Sequence, residues 1–276
     1  MVTIPWTELK GALDAPYLWK IQLVVKVPNA GESVYIDDIG TYTDISEGKL
    51  VFNTNGGIWA KGFNPPENYK SGTVLPGVND ISRAGAVFGG WYTDADFSGT
   101  QIFTVPADAT GEIVYYARWI ICSADYDNFE SYATDADLLK KWSDWKWPAQ
   151  NAATTLNTDS AHAYSGKSMK NRPNEANKND EIVLQASFSR SGNGISFWIE
   201  SDGATVQVLF NHIGAKSIPS PKITVPSGKY IVAIPWSKIE GALQASDLWQ
   251  LSLLINVPES NGEVYIDDIG TYTDYT

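Results

Sequence analysis

The chain carries the same Asp-Asp pair twice, Asp37–Asp38 and Asp267–Asp268, each inside the string VYIDDIGTYTD. Adjacent carboxylates beside apolar residues can ligate a hard cation such as Ca²⁺, which takes six to eight oxygens in irregular mixtures. They can also serve as an acid–base pair, but glycoside hydrolysis needs a second acid across a cleft, and neither copy has one. Flanked by Ile266 and Ile269, Asp267 and Asp268 repel each other where water is scarce, a cost that a cation removes. The competing reading is alternation along a strand, which sends one Asp to solvent and the other to a turn amide. Two histidines and the single Cys122 give no transition-metal cluster and no internal disulfide. No nucleophile motif or phosphate-binding glycine loop is present.

A second set of residues offers recognition rather than reaction. In DLWQLSLLINV, Trp249, Leu251, Leu253 and Ile255 share one face, leaving Gln250, Ser252, Leu254 and Asn256 on the other. In TVQVLFNH, Val206, Val208 and Phe210 point inward, with Gln207 and Asn211 outward; in EIVLQASFS the outward positions include Gln185. Amides and hydroxyls on one sheet face, joined by flat aromatics, suit a sugar with its apolar C–H faces and fixed hydroxyls. KKWSDWKWPAQ supplies Trp145 and Trp147, on one face if the segment is extended; they are either platforms at a groove rim or a plug at one end of a fold. Trp198 lies opposite Ile195, Phe197 and Ile199, so it is either covered or displayed. Arg172 and His212 stand at strand ends as weaker candidates.

These residues must be held by strands. From Asp127 onward, short alternating runs separated by turn signals follow one another at the spacing of a β-sandwich, about ten strands that fit a two-sheet jelly roll. Thr134 and Asp137 have the spacing of a helix-capping pair and mark one short helix. With 43% hydrophobic and 19% charged residues, the composition is that of a globular protein. A net charge of −12 argues against nucleic acid, and no apolar run is long enough to span a membrane.

NFESY, SGKSMK, GISFWIES, the IPW strand and the terminal YIDDI together make residues 123–276 resemble carbohydrate-binding modules of the galactose-binding-like jelly-roll type. The resemblance implies a concave open sheet face that holds the glycan, with Gln185, Gln207, Asn211, Gln250, Ser252 and Asn256 on it and Trp145, Trp147 and Arg172 beside it. It also implies a structural Ca²⁺ held by Glu130, by backbone carbonyls near Gly166 and Lys167, and by Asp267 or Asp268. Residues 47–119 are different. KLVFNTNGG, VFGGWYTDADFSG and EIVYYARW resemble the Listeria/Bacteroides repeat, also called internalin B-repeat-like, a small β-grasp-like domain of bacterial surface proteins. Phe88, Trp91, Tyr92 and Trp119 read as the core such a small body needs.

Shifting the chain by 230 residues overlays Val2–Asp44 on Val232–Asp274 without a gap, identical at 24 of 43 positions. That period is too long for a solenoid unit, so residues 1–46 are expected to be the end of a preceding module. The inward residues are kept between copies, while Gln250, Ser252 and Asn256 become Lys20, Gln22 and Lys26; surface drift and altered ligand preference both account for that. The expected organisation is 1–46, 47–120 and 121–276, a mainly β slice of a longer array. Its expected role is non-catalytic binding of a polysaccharide or glycan, outside the cell or on a bacterial surface, with neighbouring modules as partners. The alternatives are a structural or adhesive stalk and, behind it, the accessory part of a glycoside hydrolase.

Overall fold

The computed structural model describes residues 48–144, 154–173, 180–184, 190–212, 217–239, 248–259 and 261–276. The chain divides into two compact units, Met1–Ile45 and Ser46–Thr276. The first, with the duplicated segment, lies outside the described residues, as do Trp145, Trp147 and Gln185.

The second unit begins with a small β body of β1 (Gly48–Asn53), β2 (Ile58–Trp59), β3 (Asn68–Tyr69), β4 (Ile81–Ser82), β5 (Val87–Tyr92) and β6 (Glu112–Cys122). β6 is its axis, parallel to β1 from Lys49↔Glu112 to Asn53↔Tyr116 and antiparallel to β5. The run FGGWY breaks strand alternation, because Gly90 takes φ +100° and the register shifts between Phe88 and Trp91. That bulge lets both rings join Trp119 in one core. Phe88, Trp91, Tyr92 and Trp119 are all at most 5% exposed, as expected. The buried indoles keep their N–H groups satisfied: Trp91 Nε1 donates to the Pro76 carbonyl and Trp119 Nε1 to that of Thr54, both at 2.8 Å.

After it come α1 (Asp135–Lys141), β7 (Trp142–Asp144), β8 (Thr154–Asn157), β9 (Ser168–Asn171), β10 (Asp180–Leu184), β11 (Gly194–His212), β12 (Ile218–Pro219), β13 (Ile223–Pro235), β14 (Leu248–Asn256) and β15 (Val264–Asp274). Thr134 caps α1 by accepting from the Asp137 amide, as its spacing requires.

The strand pairings build two layers. One runs β8–β9–β15–β11–β13, using Gly194–Ser201 of β11 against β15. The other runs β7–β10–β14–β11, using Thr205–His212 of β11 against β14, with β12 beside it. β11 and β13 belong to both layers, and the left-handed glycines Gly203 (φ +107°) and Gly228 (φ +131°) sit where the long hairpin passes between them. The inner faces meet in a core that includes Ile195, Phe197, Ile199, Val206, Val208, Phe210, Leu251, Leu253 and Ile255, the alternate residues that the sequence marks. This is a β-sandwich.

The small body and the sandwich share backbone. β6 continues through Cys122 and pairs with β15 at Tyr272↔Cys122, Thr273↔Ile121 and Asp274↔Ile120, so the expected boundary at 120/121 falls inside a strand. On the opposite side of that layer, the Gln101 side chain mimics a neighbouring strand along the edge of β13. Its Nε2 donates to the Ile231 carbonyl (2.7 Å) and its Oε1 accepts from the Ala233 amide (3.0 Å). Trp198 is covered: it is 2% exposed and clusters with Ile231, Ala233, Tyr265, Tyr272 and Ile120, with Val78 and Val87 of the small body packed on them. One outer face of the sandwich is therefore an internal interface.

Candidate functional site

The other layer carries the polar row. Cross-strand register sets Thr205 opposite Asn256, Gln207 opposite Leu254, Leu209 opposite Ser252 and Asn211 opposite Gln250, all on the side away from the core. β10 extends that face with Glu181 and Val183, opposite Leu254 and Ser252. Gln207, Asn211, Leu254 and Asn256 are half-buried, whereas Gln250 (3% exposed) and Ser252, on the same face, are buried and, contrary to expectation, not open to a ligand.

The amides are held. Asn211 Nδ2 donates to Ser252 Oγ (2.9 Å), and Ser217 Oγ donates to Asn211 Oδ1 (2.6 Å). Gln207 Nε2 donates to the Ser220 carbonyl (2.6 Å). Each amide thus keeps a spare acceptor or donor site in a fixed direction. Parity alone also nominates Thr205, which shares a hydroxyl bond with Thr224 at 3.2 Å; Ser217 and Ser220 enter from β12 and its flank, which no local pattern reveals. Arg172 is not in this group: it stands after β9 in the opposite layer, and its Nε donates to the Asn261 carbonyl at 3.3 Å. The side chains of His212 and Trp249 lie outside the described residues.

The carboxylates form a second cluster. Asp267 pairs with Trp198 on β15, but the register shifts directly after it and Asp268 takes φ +45°. The bulge interrupts simple alternation, and Asp267 is the one that meets the turn between β8 and β9. Asp267 Oδ2 accepts from the amides of Tyr164 (2.9 Å) and Ser165 (3.1 Å), and its Oδ1 from the amide of Asp268 (2.7 Å). Glu130 Oε1 accepts from the Lys167 amide at 2.8 Å, so the loop that holds Gly166 (φ +63°) ties Glu130 to Asp267. A Cβ at Gly166 would lie 2.3 Å from Glu130 Oε1, so only glycine permits this approach. Lys167 Nζ reaches back to the carbonyls of Glu130 (3.1 Å) and Tyr132 (2.7 Å).

Burial pushes the Asp267 carboxyl up to about 7, outweighing the three amides that favour its charged form; the neighbouring Asp268 adds to the rise. Burial also raises Asp268, with the Glu130 charge as second cause. The charges of Asp267 and Asp268, and of Asp268 and Glu130, disfavour one another. Among the described residues no group of three or more His, Cys, Asp or Glu could hold a metal ion as the side chains stand.

Residues 49–118 match the Listeria-Bacteroides repeat domain. No curated protein matches the chain. Among solved structures, a carbohydrate-binding module specific for non-crystalline cellulose (CBM28) is 13% identical, covering 49% of this chain and 89% of that one at a TM-score of 0.38. A family 11 carbohydrate-binding module of a Clostridium thermocellum cellulosomal cellulase is 16% identical, covering 52% and 89% at 0.37. An arabinose-bound α-L-arabinofuranosidase is 8% identical, covering 57% and 26% at 0.41. The sandwich assignment itself stands on the strand pairings of this chain. The repeat is the body built on β1–β6, and it is the repeat that covers Trp198.

Proposed function

We propose that the sandwich is a non-catalytic carbohydrate-binding module of an extracellular or bacterial surface protein, and that its ligand is a polysaccharide or glycan lying across β14 and the second half of β11. The observation that supports this reading is the row of Gln207, Asn211 and Asn256 on one sheet face, with Asn211 fixed from both ends by Ser252 and Ser217. Fixed amides bind hydroxyls without a large ordering cost. A shallow face with a few such bonds supports a Kd of roughly 1 mM to 1 μM, about −4 to −8 kcal/mol. The test is a glycan array probed with the full chain, followed by titration of any hit. Gln207→Ala with Asn211→Ala should weaken a hit at least about tenfold, the value of about 1.4 kcal/mol, with an unchanged melt. An array without any signal would favour the stalk reading instead.

Calcium belongs to the same proposal. Glu130, Asp267 and Asp268, with backbone carbonyls near Gly166 and Lys167, would hold the ion and brace β15 to the turn between β8 and β9. Its positive charge would compensate acids that burial leaves at a disadvantage. If so, Ca²⁺ at 100 times its Kd adds about 2.7 kcal/mol to stability, read as a higher melting temperature that chelator reverses. An identical melt with calcium and with chelator, on protein verified metal-free, would remove calcium from the proposal.

A further inference from the structure

The repeat and the sandwich form an open groove where they meet, away from the polar sheet face. It has a volume of about 460 Å³ and is lined by Phe63, Asn64, Pro66, Val74 to Gly77, Asn79 and Asp80 of the repeat, with Gly228 to Tyr230 of β13. The groove is open to solvent, and its volume falls in the range of small-molecule sites.

Its walls are specific. Phe63 stacks on Trp59 with ring centroids 5.6 Å apart, which fixes the ring. Tyr230 is held edge-on against Phe103 at 5.4 Å and is buried, so it forms the floor of the groove while Phe63 supplies the more open ring. Asp80 is anchored in a tight turn, with Oδ2 accepting from the Gly77 amide at 2.7 Å, and Gly77 itself lies against the Tyr230 ring. The side-chain amides of Asn64 and Asn79 are exposed and make no hydrogen bond among the described residues. Lys229 offers no free charge, since its ammonium donates to the Ala161 carbonyl and lies 3.6 Å from Glu200. Apolar and aromatic faces, two free amides, one oriented carboxylate and no available cation exclude phosphate or other anions as the preferred ligand. They match a neutral ligand with an apolar face and several hydroxyls.

We infer that the joint between repeat and sandwich is a second carbohydrate site, taking a short neutral oligosaccharide against Phe63 and Tyr230, with Asn64, Asn79 and Asp80 on its hydroxyls. The site exists only where both bodies are present. It rests on different residues from the sheet-face reading, and the two stand or fall separately. The experiment is an array of neutral oligosaccharides probed with the full chain, its Asn64→Ala/Asn79→Ala variant and its Gln207→Ala/Asn211→Ala variant, each checked for an unchanged melt. The inference expects at least one oligosaccharide whose signal falls tenfold or more in the Asn64/Asn79 variant and holds in the Gln207/Asn211 variant. Hydrogen exchange on the unaltered chain with that sugar should show protection at 74–80 and 228–230. If every signal survives the Asn64/Asn79 substitutions, or no oligosaccharide binds, the inference is overturned; loss confined to the Gln207/Asn211 variant would overturn it while leaving the sheet-face reading intact.

Discussion

Asp267 shows two opposed effects within one residue. Three amides favour its charged form, yet burial wins and holds its carboxyl up to about 7. The unfolded chain releases this proton near the ordinary Asp value of about 3.9. Between about pH 4 and pH 7 the folded chain therefore binds more protons than the unfolded chain, and stability falls as pH rises through that window. Urea unfolding in chelator should show the decline, and Asp267→Asn should flatten it; a wild-type profile that climbs from pH 4 to 7 and does so unchanged in the variant would contradict the assignment. The sequence makes this pair visible as adjacent acids between isoleucines, but alternation predicts that they part. What breaks the alternation is the left-handed conformation of Asp268, at a register shift against a strand some seventy residues away. Gln207 and Asn211 were legible because their placement needs only the period of two within one strand. The serines that fix them were not, since Ser217 and Ser220 arrive from another element.

At the scale of elements, the decisive device is the hairpin of β11 and β13, which serves both layers. The sequence splits β11 into GISFWIES and TVQVLFNH, and Gly203 lies between the two runs. A Cβ at Gly203 would meet nothing within 4 Å, so Gly203→Ala tests backbone conformation alone. At φ +107° the strain should cost about 1–3 kcal/mol, measured as a lower urea midpoint with an unchanged slope. A neutral result would mean that the corner relaxes and that the glycine is incidental. Helix α1 was legible in full, because a cap is a local hydrogen bond between Thr134 and the Asp137 amide. For Trp198 the sequence leaves cover and display both open, because its partners Val78 and Val87 belong to another body.

For the whole molecule, repeat and sandwich should unfold together. Arg118, 4% exposed, donates Nε to Asp274 Oδ1 at 2.7 Å and its NH2 group to Oδ2 at 3.1 Å, while also lying against the rings of Tyr92 and Tyr272. Asp274→Asn leaves that guanidinium without its counter-ion and should cost about 3 kcal/mol, the low end for a buried pair because Asp274 keeps some contact with water. Calorimetry of the chain from 46 to 276 should give one transition in the wild type, and the variant should lower it or separate the repeat from the sandwich. Two well-separated transitions in the wild type would show the bodies to be independent.

The strand β6 that crosses from one body into the other also removes something: a linker. Flexible connections let neighbouring binding units search a volume set by their length, and avidity then depends on reach. Here the backbone passes from Trp119 to Cys122 without leaving a sheet, so the sheet-face row of Gln207 and Asn211 is fixed in angle relative to the repeat. Within one such pair the face keeps a constant phase to the repeat, as a thread does to its screw. One inserted glycine-serine stretch after Cys122 would convert a phase-locked pair into a length-limited one.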